Sequence, residues 1–340
     1  MFYEEPLVSI IVPTYNASLY IERFVLYIQK QSYQNWELII VDDQSSDNTV
    51  EIARRYEKKD TRIHVVIRDR LPKGSVVCRN IGQGLIKGKY IIHFDSDDIV
   101  SDICLEQRVK FMIENPEVDY ATFKGESVVI DNNKLILTGK TWGNRLDDDI
   151  LKNFLEVNYP FSVWNNIYKS EIFKKILWDE KVKIYTDFSY IVPVILKKYK
   201  HNFAMNCEED YFYVTGQKNS MTSNFLSEDK YKSTKYLLAE IIQLLDKNVE
   251  YKKYKVSLRK FFYFQMKRIV ISCNDEQKED FYKFFCRYYG KNFVLNLILN
   301  LDKVIKFNGR KREMLYKLIF SLLDARELKE YLRRNLCMFN

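Results

Sequence analysis

What most constrains this chain is a recurring form: a short apolar run rich in β-branched residues, then a polar turn, then a helical pattern. The run LVSIIV at 7–12 is closed by Pro13 and followed by helical spacing over 18–30. WELIIV at 36–41 leads to a helix ending near 59, IHVVI at 63–67 leads to one near 76–87, and YIIHF at 90–94 closes the series. Continuous apolar runs suit strands buried on both faces. Strands separated by helices connect by right-handed crossovers, so the pattern predicts a mainly parallel α/β sheet covered on both sides. Ligands of such sheets bind beyond the carboxyl ends of the strands. The polar clusters of this chain fall at those ends.

Further along, DYATF and SVVI read as strands within a mixed region that begins near 119. Beyond Thr222 the strand signals largely stop. Helical spacing takes over at Leu237/Leu238, Ile241/Ile242 and Leu244/Leu245, and again at Leu315, Leu318/Ile319 and Leu322/Leu323. With 340 residues the chain is long enough for two cores. The expected division is an α/β domain over 1–224 and a helical, basic domain over 225–340. The formal charge of +8 is uneven, since residues 225–340 hold 25 Lys/Arg against 14 Asp/Glu and the rest hold 29 against 32. That excess suits contact with nucleic acid, anionic lipid or an acidic partner, and equally a solvated helical face. Phe261, Phe262, Phe281 and Phe285 lie in the same segment, as core or as membrane contacts.

Six cysteines without a C-x-x-C pair read as reduced thiols, and no run reaches the roughly 18 apolar residues of a membrane span. The expectation is a cytoplasmic chain, with peripheral contact at the inner face of the membrane.

Two acidic clusters follow strands. Asp42-Asp43-Gln44-Ser45-Ser46-Asp47 could cap a helix, or could aim a carboxylate at a nucleobase N–H with Tyr15 offering an aromatic face. Asp95-Ser96-Asp97-Asp98 places three carboxylates in four residues, more than capping needs. Like charges held together are offset best by a cation, so the cluster predicts an oxygen-ligated divalent ion, Mn2+ or Mg2+. Between them, Lys73-Gly74-Ser75 runs into a helix carrying Arg79 and Asn80, either a phosphate or sugar contact or a surface turn. Asp187 is a lone acid between Tyr185 and Phe188, either a solvated or capping residue or one whose pKa desolvation would raise toward that of a useful base. His93 sits inside an apolar strand and reads as core.

Taken in order, the segments PLVSIIVPTYNASLYI, QSYQNWELIIVDDQSSDNT, GSVVCRNIGQGLIKGKYIIHFDSDD, WNNIYKSEIF, YTDFSY and YFYVTGQKNSMT resemble the family 2 glycosyltransferases. The resemblance covers Pro6 to about Thr222. It implies a GT-A fold and an inverting transfer of sugar from a nucleotide-diphosphate donor, UDP-linked by preference, to a saccharide or lipid-linked saccharide acceptor in surface-polysaccharide synthesis. It also implies residue roles: Asp43 and Tyr15 for the base, Asp95 for the ribose or metal shell, Asp97 with Asp98 for the metal, Arg79 and Asn80 near the donor, and Asp187 as general base. Thr186 stands where the family usually has Glu, and Asn166 where it often has Lys.

The loop after the first strand, PTYNAS, lacks the G-x-G-x-x-G of a dinucleotide oxidoreductase and the Gly-rich basic loop of a pyrophosphorylase. The remaining alternative is an inactive sugar-nucleotide-binding protein or one anchored to membrane or nucleic acid; the transferase reading expects no nucleic-acid partner.

Overall fold

A computed structural model describes residues 5–131, 134–143, 149–215, 227–247 and 249–290. The chain divides into two compact units, one of Met1–Phe154 with Tyr159–Ser220 and one of Leu155–Asn158 with Met221–Asn340. Leu315 to Leu323, with the rest of 291–340, lies outside the described residues.

The first unit opens with three strand–helix pairs: β1 (Val8–Thr14), α1 (Ile21–Gln29), β2 (Trp36–Asp42), α2 (Thr49–Glu57), β3 (Ile63–Ile67) and α3 (Ser75–Leu85). β4 (Tyr90–His93), β5 (Ile99–Val100), α4 (Cys104–Glu114), β6 (Tyr120–Thr122), β7 (Gly125–Asp131), β8 (Lys134–Trp142) and α5 (Ile150–Leu155) follow. The unit continues with β9 (Asn166–Lys169), α6 (Ser170–Phe173), α7 (Thr186–Leu196), β10 (His201–Phe203) and β11 (Tyr211–Val214).

Seven strands form one sheet in the order β10-β6-β9-β4-β1-β2-β3. Pairings among β4, β1, β2 and β3 are parallel, as the crossover pattern requires, and β9 alone inserts antiparallel between β4 and β6. β1 and β2 are buried at every position, so both faces of the sheet centre are covered. Two polar residues on these strands satisfy each other, the Ser9 hydroxyl donating to Glu37 Oε1 at 2.5 Å. α3 approaches β1 closely at Gly82, where a Cβ would come within 2.6 Å of Ile11 Cγ2. Only glycine fits that spacing.

A second sheet, β5-β11-β7-β8, was not apparent from periodicity. A register shift separates Glu126/Thr141 from Val128/Leu137, and Gly139 takes φ +75° where β8 bulges. The two sheets are tied through α4 by a fully buried bidentate pair, in which Arg108 Nε and Nη2 donate to Asp210 at 2.8 and 2.6 Å.

The described part of the second unit is helical: α8 (Glu228–Asp246), α9 (Lys255–Ser272) and α10 (Asp275–Tyr289). Asn274 caps α10 reciprocally with Gln277. Phe261, Phe262, Phe281 and Phe285 are all buried and form its core. They are therefore not membrane contacts. No helix among the described residues is long and apolar enough to cross a membrane.

Candidate active site

The carboxyl ends of β1, β2 and β4 bring the expected acids to one edge of the sheet. At the end of β2, Asp42 turns inward and accepts from Thr14 Oγ1 at 3.1 Å and from the Ser45 amide at 2.7 Å. It is the acid that shapes the turn. Asp43, one residue on, is buried and pairs with Arg68, while the Gly74 amide donates to it at 3.3 Å. Both contacts fall on Oδ1, leaving Oδ2 out of either. Tyr15 is 49% exposed beyond β1, with the Lys73 ammonium 3.4 Å above its ring centroid. Arg68 was missed by sequence reasoning, although an arginine directly after the apolar run IHVVI is a signal that could have found it.

After β4 the chain makes a tight acidic turn. The Asp98 carboxylate points back into it and accepts from the Asp95 amide at 2.6 Å. Asp98 is buried, the Tyr211 phenol lies against it, and burial followed by the charges of Asp95 and Asp97 pushes its pKa well above the usual carboxylate range. Asp98, expected beside Asp97 as a ligand, here splints the turn from inside. Asp95 and Asp97 are half-buried, and Arg23 Nη2 donates to the Asp97 carbonyl at 3.2 Å. Among the described residues, no three His, Cys, Asp or Glu side chains converge as a ready metal cluster.

α3 supplies the centre of the site. Arg79 is buried, its guanidinium lies 4.8 Å from the Trp178 ring centroid, and its Nη2 donates to Asp95. Asn80 was expected near the donor but is consumed elsewhere: its Nδ2 donates to the Trp178 carbonyl at 3.0 Å and to Glu180 at 2.8 Å, and its Oδ1 accepts from the Trp178 amide at 2.9 Å. Glu180 is in turn held by Arg70 in a bidentate pair of 2.8 and 2.6 Å. Asn80 thus fixes the 178–180 loop, whose Trp178 backs Arg79.

Asp187 is the second residue of α7, where helix N-terminal amides favour a negative charge. Tyr185 before it takes φ 58°, a left-handed conformation that costs free energy in a bulky residue and aims the helix start. The Ser162 hydroxyl donates to Asp187 Oδ2. Ser162 is itself fixed by a reciprocal cap with Asn165. Burial raises the Asp187 pKa; the Arg79 charge is the largest opposing influence, and Asp95 acts to raise it further. Nothing in the local sequence marked Ser162.

His93 is buried among Trp178, Tyr190 and Tyr168 at ring-centroid distances of 5.3, 6.0 and 6.1 Å. Neither ring nitrogen has a hydrogen-bond partner, and burial, then Arg79, drives its pKa well below the usual value. It is core, as read from its strand.

A nucleotide-binding type of α/β sheet, with acids at the ends of successive strands and one buried arginine between two of them, defines a GT-A site. Residues 9–177 match the model of glycosyl transferase family 2, and the chain belongs to that family. It is 46% identical over 110 residues to TuaG of Bacillus subtilis (strain 168), a glycosyltransferase ascribed to teichuronic acid biosynthesis, covering 32% of this chain and 43% of TuaG. It is 35% identical over 133 residues to WfgD of Escherichia coli, a UDP-Glc:alpha-D-GlcNAc-diphosphoundecaprenol beta-1,3-glucosyltransferase, covering 39% of this chain and 50% of WfgD. The matches thus span at most about half the length of these curated relatives. Staphylococcus aureus TarS, solved over 1-349 in complex with UDP-GlcNAc, superposes with a TM-score of 0.62 at 20% identity, covering 94% of this chain and 91% of that one. That likeness is one of fold.

Proposed function

We propose that the chain is an inverting glycosyltransferase that moves a sugar from a UDP-linked donor to an acceptor hydroxyl, in the synthesis of a surface polysaccharide or glycoconjugate. The observation that carries this reading is Arg79: one buried guanidinium pairs with Asp95 of the acidic turn while its charge reaches Asp187. Donor-side acid and base therefore belong to one site. The donor named for WfgD and the ligand bound to TarS support a uridine nucleotide.

In this reading Asp43 Oδ2 accepts from the base and Tyr15 packs on its face, with Lys73 yielding that face. Asp187 takes the proton of the acceptor hydroxyl as the acceptor oxygen bonds to the anomeric carbon. The bond from that carbon to the diphosphate breaks, and its electron pair leaves with the nucleoside diphosphate. One displacement inverts the anomeric centre. The acidic turn fits a divalent ion by its chemistry, since its side chains offer only oxygen donors and three of the four are carboxylates. Mn2+ or Mg2+ held by Asp97, with Asp95, would offset charge on the leaving diphosphate. Arg79 stays paired and keeps Asp187 and Asp95 from repelling each other. We also propose that the basic residues of 225–340 hold the chain peripherally at an anionic membrane on its cytoplasmic side.

The test is UDP release from a panel of UDP-sugars with and without EDTA, beside the same assay on Asp187→Asn. Metal-dependent release that falls by roughly 10² to 10⁴ in kcat for the variant is expected. Tight UDP binding without turnover of any donor would replace this reading by that of a binding protein.

A further inference from the structure

The hydroxyl that donates to Asp187 belongs to a residue pinned through its amide, its side-chain oxygen and its carbonyl. Ser162 gives its amide N–H to Asn165 Oδ1 at 2.9 Å, and its Oγ accepts the Asn165 amide N–H in return. Its carbonyl accepts from Asn166 Nδ2 at 3.0 Å, and the same Nδ2 donates to the Tyr168 hydroxyl at 2.9 Å. Asn166 Oδ1 in turn accepts from the Thr122 hydroxyl. Thr122 of β6 and Asn166 of β9 sit opposite each other in the first sheet, and both are fully buried, as is Asn165. Ser162 is thereby anchored to the sheet core.

This chain of hydrogen bonds has a single polarity. Thr122 gives its one proton to Asn166, so its contact of 2.7 Å with His201 Nε2 is one in which the ring N–H donates. Burial drives the His201 pKa down to about 3, which keeps the ring neutral. At the other end the Asn165 N–H occupies a lone pair of Ser162 Oγ, and the hydroxyl proton is left for Asp187 Oδ2. A donor held in that direction favours the carboxylate over the acid. The Val163 amide acts the same way from the same turn. Charged and titratable groups face Asp187 from the neighbouring elements as well: Arg79 of α3, Asp95 of the acidic turn, Tyr168 of β9 and Tyr213 of β11. Arg79 acts on it through charge, its Nη2 being given to Asp95, and charge alone sets no orientation.

We propose that Ser162 is the positioning residue of the base: its hydroxyl fixes how the Asp187 carboxylate faces the acceptor and keeps it ready to take the acceptor's proton. This rests on the transferase reading. Threonine at 162 could do the same, since it also caps and carries its hydroxyl on the same carbon, whereas alanine could not.

Two measurements on the full chain separate this role from a merely structural one. Carbon NMR of protein labelled at the aspartate carboxyls follows Asp187 through pH, its signal being the one absent from Asp187→Asn. Ser162→Ala is expected to move the midpoint upward by about one pH unit, because the lost donor had stabilised the charged form, and Ser162→Thr to return it. In UDP release from the UDP-sugar that the wild type turns over fastest, Ser162→Ala should lower kcat about tenfold and leave the donor KM within about twofold. Ser162→Thr should recover most of that loss. A midpoint that stays or falls in Ser162→Ala, a threonine variant that behaves like the alanine one, or a donor KM that rises while kcat holds would each overturn the proposal. The titration needs no donor, so a wild type that releases no UDP overturns the transferase reading, whereas an unmoved midpoint overturns the role of Ser162 alone.

Discussion

At the residue scale the site turns on how Arg79 divides its charge. Asp187 has a pKa raised by burial and lowered by Arg79, and Asp95 is the other charge near it. A general base must be ionised, so kcat should fall as pH drops through the Asp187 pKa, at a midpoint above the roughly 3.9 of an ordinary Asp. Removing a neighbouring positive charge makes ionisation harder. Arg79→Gln is therefore expected to move that acid limb to higher pH as well as to lower kcat, and a pH profile of the residual rate reads the shift. A limb at the wild-type position would mean that Arg79 does not act on the base. Asp97→Ala should abolish metal-dependent turnover with the fold retained, and calorimetry with Mn2+ should show the binding isotherm lost. Their place after apolar strands brought Asp43, Asp95 and Asp97 forward, because acids there have few other reasons to be, whereas Arg79 and Asp187 were brought forward by the family resemblance. Neither signal gave the orientation of Asp98 or Asn80. Which way a side chain points within a four-residue turn, or from the exposed edge of a helix, depends on partners such as the Asp95 amide and Glu180. Those partners are brought near only by the completed fold.

At the element scale α3 organises the site, and its four functional positions show why. Gly82 sets its depth on β1, Gln83 donates to the carbonyls of Phe173 and Ile176 at 3.0 and 2.8 Å, Asn80 pins the 178–180 loop, and Arg79 faces the acids. A helix held at so many points transmits a shift in its seating directly to Arg79. Gly82→Ala would drive a methyl into Ile11 Cγ2, and overpacking of this kind costs about 1–3 kcal/mol. Because that methyl belongs to the β-branch, Ile11→Leu removes it, and the double variant should recover part of the loss. Denaturant titrations of the two single variants and the pair measure the coupling, and strict additivity would show that the helix seat is not the cause. The parallel strands and their helices were legible because burial on both faces leaves a strong apolar signal. The second sheet was not, since β5 has two residues, and β7 and β8 mix buried with exposed positions around a bulge. Its identity comes from pairing between segments as far apart as Gly125 and Tyr211, which no local window contains.

At the scale of the whole molecule the open question of chemistry is where the basic excess acts. Residues 225–340 carry 25 Lys/Arg against 14 Asp/Glu, and Phe261, Phe262, Phe281 and Phe285, which could have anchored them in lipid, are instead buried in the helical core. Attraction to a membrane by that segment would then rest on charge, at about 1 kcal/mol for each basic residue near an anionic surface, and would be screened beyond a Debye length of about 8 Å at physiological salt. Hydrophobic insertion would behave differently, because it is insensitive to moderate salt. Flotation with vesicles containing anionic lipid is therefore expected to recover the chain at low ionic strength and to lose it at about 0.5 M salt, while neutral vesicles recover little under either condition. Charge reversal of Lys252, Lys253 and Lys255, three basic residues within four positions, should shift the salt midpoint of flotation downward. Flotation that persists at high salt would point to an apolar contact, for which the β7–β8 hairpin, with Ile130, Leu135, Ile136 and Leu137 exposed, is one candidate. Equal recovery on neutral and anionic vesicles would remove the electrostatic role of the helical segment altogether, and leave its positive charge as that of a solvated surface.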